Sequence, residues 1–130
     1  MTIWTNPFAT DIRAIDYSPD GNNLIVRMID GQVMLLNSNL KTVKTFKPSA
    51  SGAKSWFEDI KYSPDGTMVA TGFHGGASKL ELMKVTSNSI AKKATFNAGT
   101  TSALTHLDWS KDDSFLQLNS TAYELKFVAT

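Results

Sequence analysis

Apolar and polar residues alternate along this chain in short runs separated by turn residues. Ile15 and Tyr17 flank Asp16, Ile60 and Tyr62 flank Lys61, and Leu107 and Trp109 flank Asp108. A period of two puts alternate side chains on opposite faces of a strand, so each run predicts a strand with one buried and one more polar face. No stretch sustains an apolar period of 3.6 residues, and the fold class expected is all-β.

The runs repeat. Tyr17-Ser18-Pro19-Asp20-Gly21, Tyr62-Ser63-Pro64-Asp65-Gly66 and Trp109-Ser110-Lys111-Asp112-Asp113 have their aromatic anchors 45 and 47 residues apart. On its own, Ser-Pro-Asp-Gly is a common turn, in which Pro presets φ and Asp-Gly supplies the positive φ of a hairpin. The spacing carries more weight, because aligning the anchors also aligns Ile12 with Phe57 and Leu104, Ile15 with Ile60 and Leu107, and Leu24 with Val69 and Leu116.

After each anchor a second strand is predicted (24–28, 68–73, 115–119) and then a third (32–37, 79–85, 123–128), with Asp30-Gly31 and His74-Gly75-Gly76 as turns. Fourth strands are expected at 42–47 and 89–96, followed by polar linkers at 48–54 and 97–102. Four-stranded units recurring every 40 to 50 residues or so are the pattern of β-propeller blades. The expected division is a blade at 11–48, a blade at 54–98 and an incomplete blade at 102–130, with residues 1–10 as the outer strand of a preceding blade. A propeller closes with roughly 4 to 8 blades, so further blades, in the same polypeptide or in a partner, are expected to complete the ring.

Composition narrows the function classes. With 13 basic and 12 acidic residues interleaved and a net charge of +1, the chain lacks the positive footprint that nucleic-acid binding requires. It has no cysteine, which excludes disulfides, thiolate zinc sites and thiol catalysis. No apolar run approaches the ~20 residues of a membrane helix, and MTIWTNPFAT lacks the form of a secretion signal. A cytoplasmic protein without membrane contact is expected.

Catalytic, metal and cofactor sites are not predicted. His106 and Asp108 share a strand face, and no nucleophile motif accompanies them. His74 precedes two glycines without ligand-spaced carboxylates. The Gly72–Gly76 stretch lacks the Lys-Ser/Thr of a phosphate-binding loop. An enzyme is therefore the weakest of the function classes.

The third unit is more specific. Ser102-Ala103-Leu104-Thr105-His106-Leu107-Asp108-Trp109-Ser110, followed by Leu116-Gln117-Leu118-Asn119-Ser120 and Tyr123-Glu124-Leu125, resembles the "ITHLDWS … LQSNS … YEL" signature of the echinoderm microtubule-associated protein-like (EMAP-like) family of WD-repeat proteins. Trp4 and the two Tyr-Ser-Pro-Asp-Gly units also resemble the blades that lead to it. The resemblance implies propellers that associate with tubulin or microtubules, including those of the ciliary axoneme, and a cytoskeletal location. The chain departs from the pattern at Gly99-Thr100, where the family has Gly-His, at Phe127, where Trp is usual, and in having no Trp-Asp pair. The His-Ser/Thr-Trp hydrogen-bond network that braces many WD blades is thereby put in doubt, and blade stability is expected to rest more on apolar packing.

The function expected is that of a non-enzymatic scaffold binding tubulin or microtubules. The alternative is a general WD-repeat adaptor in a non-cytoskeletal complex. Lys41, Lys44, Lys47, Lys92 and Lys93 fall on the predicted outer strands, where they would meet the acidic surface of tubulin or else guard strand edges against aggregation. Trp56, next to Phe57 in an alternating strand, is a candidate interface anchor or a packing residue.

Overall fold

The structure is a computed structural model, and it describes residues 5, 11–47, 56–74, 79–97 and 104–130, with side chains omitted at 56–58 and 73–74. Residues 1–10 except 5, the two linkers except Asn97, and the glycines at 75 and 76 lie outside the described residues, so the expectations placed there are not addressed.

The first sheet runs β1 (Ile12–Tyr17), β2 (Leu24–Met28), β3 (Val33–Leu36), β4 (Thr42–Phe46). The second runs β5 (Trp56–Tyr62), β6 (Met68–His74), β7 (Lys79–Val85), β8 (Ile90–Asn97), and the third β9 (Leu104–Trp109), β10 (Phe115–Ser120), β11 (Leu125–Ala129). All pairings are antiparallel between sequence neighbours, the meander of a propeller blade. We call the sheets blades 1, 2 and 3.

Strand ends differ from expectation where turns take residues away. β11 starts at Leu125 and not at Tyr123, because Tyr123 has φ 63° and its N–H closes a turn on the Ser120 carbonyl at 3.2 Å. β3 loses Asn37, whose Oδ1 accepts the N–H groups of Asn39 and Lys41 at 3.0 and 3.1 Å. Such Asx turns offer the backbone an alternative to the ladder.

The blades stack through two apolar cores. Ile25, Val33 and Leu35 of blade 1 pack on Ile60, Tyr62, Val69 and Met83 of blade 2. Ala70, Leu80 and Leu82, on the other face of blade 2, pack on Leu104, Leu107, Trp109, Leu116 and Leu118 of blade 3. At this second junction the Leu104 side chain packs directly on Gly72, where a Cβ would lie 2.9 Å from Leu104 Cδ1.

The alternation also explains one departure. Ile15 aligns with Ile60 and Leu107, yet it is 55% exposed where they are 0% and 3%. The apolar face of each inner strand turns toward the blade before it: Ile60 and Tyr62 meet blade 1, and Leu107 and Trp109 meet blade 2. Ile15 and Tyr17 occupy the same face of β1, which points away from blade 2.

Candidate binding surfaces

The aligned Ser-x-Asp motifs build one turn three times. Ser18, Ser63 and Ser110 each donate Oγ–H to the Asp two residues on, Asp20, Asp65 or Asp112, at 2.6, 2.6 and 2.7 Å. The same three hydroxyls accept the N–H groups of Asn23, Met68 and Phe115 at 2.9, 3.0 and 2.9 Å. Gly21, Gly66 and Asp113 take the positive φ that each turn needs, at 74°, 75° and 63°. Bonds from serine hold the Asp20 and Asp65 carboxyls below the usual range, and bonds from Ser114 and then Ser110 lower Asp112 to about 2.

These turns sit side by side on one rim. The Asp65 N–H donates to Asp113 Oδ1 at 3.2 Å, and the Pro19 ring lies against Gly66. Among the described residues, the rim therefore carries Asp20, Asp65, Asp112 and Asp113 in a row.

Polar clasps join the blades near the inner strands. Asp16 Oδ2 accepts the Tyr62 N–H at 2.8 Å, and Asp59 Oδ2 accepts the Leu107 N–H at 3.1 Å. The Trp109 indole N–H donates to the Lys61 carbonyl at 3.1 Å. These side-chain-to-backbone bonds add to the apolar packing between the blades, and a carboxylate accepting a backbone N–H is stronger than a neutral pair.

Two charges that the sequence reading did not single out lie in the junction between blades 1 and 2. Arg27 on β2 is 0% exposed and Glu81 on β7 is 1% exposed. Burial lowers the arginine to about 9, the charge of Glu81 working against that shift, and burial raises the glutamic acid, the charge of Arg27 working against it. Each charge thus stabilises the other inside an otherwise apolar contact. The signal available in sequence was a lone charge inside each of the apolar runs 24–28 and 80–83.

Lys44 lies on β4 with Lys41 and Lys47 next to its ends, Lys92 and Lys93 lie on β8, and all five are exposed. Both strands are outermost in their sheets. The Lys93 ammonium also reaches Met68 Sδ at 3.3 Å. Trp56 opens β5, pairing with His74, while its side chain lies outside the described residues.

His106 and Asp108 share a face, and with Asp59, Lys61, Gln117 and Asn119 they line an open polar groove of about 380 Å³ at the inner end of blades 2 and 3. Asp108 Oδ1 is taken by the Trp109 N–H at 3.0 Å. Among the described residues no group of three His, Cys, Asp or Glu could hold a metal ion, and no helix is long and apolar enough to cross a membrane.

Blades 1 and 2, stacked through apolar faces and clasped by carboxylates to the next backbone, with blade 3 repeating the same turn, define a β-propeller segment of WD-type repeats. The chain is distantly homologous, over most of its length, to the EMAP-like WD-repeat proteins. It is 30% identical over 114 residues to human Echinoderm microtubule-associated protein-like 3, an alignment covering 86% of this chain and 12% of that protein. It is 29% identical over 127 residues to the 77 kDa echinoderm microtubule-associated protein of Lytechinus variegatus, covering 95% and 18%, and 29% identical over 116 residues to the Ciliary WD repeat-containing protein ctxp80 of Euplotoides octocarinatus, covering 88% and 15%. The chain thus spans less than a fifth of the length of these relatives. No family model matches it.

Solved structures share the fold. A chain of a Mitotic Checkpoint Complex superposes with a TM-score of 0.74 at 19% identity, over 92% of this chain and 37% of that one. A Bacteroides fragilis chain solved as a candidate 6-phosphogluconolactonase gives 0.78 at 17%, over 91% and 34%. At these identities the likeness is one of fold, and fold does not carry activity.

Proposed function

We propose that this chain is part of a non-enzymatic propeller scaffold of the cytoskeleton that binds tubulin in microtubules, those of the ciliary axoneme included. The observation that carries this reading is the similarity, over 86% to 95% of the chain, to proteins named as microtubule-associated or ciliary. Lys41, Lys44, Lys47, Lys92 and Lys93, on or next to the outer strands, together with Trp56 of the second unit, are the proposed contacts for an acidic partner surface. Further blades, in the same polypeptide or a partner, complete the ring.

Co-sedimentation of the full chain with taxol-stabilised microtubules tests the proposal. Binding is expected at low ionic strength and is expected to weaken as salt screens the lysines. Replacing the five lysines by glutamine should reduce it at least several-fold. A chain that stays in the supernatant at low salt would sink the reading.

A further inference from the structure

Between the first turns of blades 1 and 2 lies a notch of about 190 Å³, with Ser18, Asp20 and Asn23 on one side and Asp65 and Thr86 on the other. Two carboxylates and no basic side chain line it. Their serine bonds keep both aspartates charged at neutral pH.

Tyr62 forms part of the same lining. Its side chain leaves β5 toward blade 1, next to Ile60, and is 7% exposed. The buried hydroxyl has no hydrogen-bond partner among the described residues. It lies within reach of the charge of Asp20 as well as Asp16, and these, after burial, raise the phenol to about 12. The equivalent aromatic at the next junction differs, because Trp109 spends its one donor on the Lys61 carbonyl. A buried hydroxyl left unpaired costs about 1–3 kcal/mol, which a ligand donating to it would relieve. The phenol keeps its proton at neutral pH and can both donate and accept.

We infer that this notch receives the cationic head of an arginine or lysine side chain from an extended segment of a protein partner, Asp20 and Asp65 meeting the charge and Tyr62 Oη accepting an N–H. The site is separate from the outer-strand lysines and opposite in sign. Acidic segments that suit the lysines are repelled here.

The test is a chemical-shift titration of the isotopically labelled full chain at low salt with acetyl-Gly-Ser-Arg-Ser-Gly-amide, its lysine form, and the form with neutral citrulline. Shifts at Asn23, Gly66, Thr86 and Ser87 are expected with the two cationic peptides, about tenfold weaker with citrulline, the effect of one charge-assisted bond. Asp20→Asn with Asp65→Asn retains Oδ1 for each turn and should weaken arginine-peptide binding about tenfold. Tyr62→Phe removes only an unpaired hydroxyl, should leave the remaining spectrum intact, and should weaken binding about threefold. Equal shifts with citrulline, no shifts at the notch, unchanged binding in either variant, or spermidine binding as tightly as the peptides would each overturn the inference. Because it requires no microtubules, the result is read independently of the co-sedimentation.

Discussion

The hydroxyl of Ser63 shows how much of each turn rests on one atom. It is fully buried, donates to Asp65 and accepts the Met68 N–H. Replacing it by alanine leaves that N–H without its partner, and Ser63→Ala should cost about 1–2 kcal/mol in denaturant unfolding. The carboxylates of these turns set an acid limit. A group with a lower pKa folded than unfolded adds stability that is complete above the unfolded value and is lost as pH falls through the folded one. For Asp112 that window runs from the ordinary aspartate value of 3.8 down to about 2, and Asp20 and Asp65 shift the same way. The melting temperature should therefore fall between pH 4 and 2, and less so in Asp112→Asn. A variant with the same acid profile as the parent would remove Asp112 as a cause. The Ser-x-Asp spacing was readable because turn chemistry is local. Its recurrence at Asp113, where aspartate does the work of glycine, was readable only through the repeat alignment.

At the scale of elements, β2 and β7 carry the least expected pair. Arg27 and Glu81 stand on facing sheets of adjacent blades, so Arg27→Met or Glu81→Leu alone takes from a buried charge its largest opposite one, at a cost of up to about 3–5 kcal/mol. The double variant should come close to the parent or exceed it, as buried ion pairs replaced by apolar residues often do. Equilibrium unfolding of all three variants closes the cycle, and additive losses would show that the charges do not interact. Alternation along a strand revealed which residues share a face, and the strands themselves were legible for that reason. It could not say which neighbour each face meets. Ile15 illustrates the gap, since its pattern matches that of Ile60 while its surroundings differ.

In the whole molecule, the face of blade 3 that points away from blade 2 breaks the pattern of the other two. Where blade 1 has Ile25, Val33 and Leu35, and blade 2 has Ala70, Leu80 and Leu82, blade 3 has Gln117, Leu125 and Phe127. Leu125 and Phe127 are 55% and 65% exposed on the outermost strand of their sheet. An apolar outer strand of this kind favours pairing with another chain. The full chain should show concentration-dependent association in sedimentation velocity, and Leu125→Thr with Phe127→Lys should reduce it. The lysine surface was legible in sequence because its residues cluster in two short strands. The notch was not, because it is assembled from turns of two blades brought together only by stacking. The clasps between blades bear on how such chains diverge. Asp16 and Asp59 each grip a main-chain N–H of the following blade, a group that every residue but proline provides. A substitution at Tyr62 or Leu107 leaves the grip in place, so the receiving repeat can drift in sequence while its pitch against the previous one stays fixed. Such asymmetry lets ancestry fade faster than architecture.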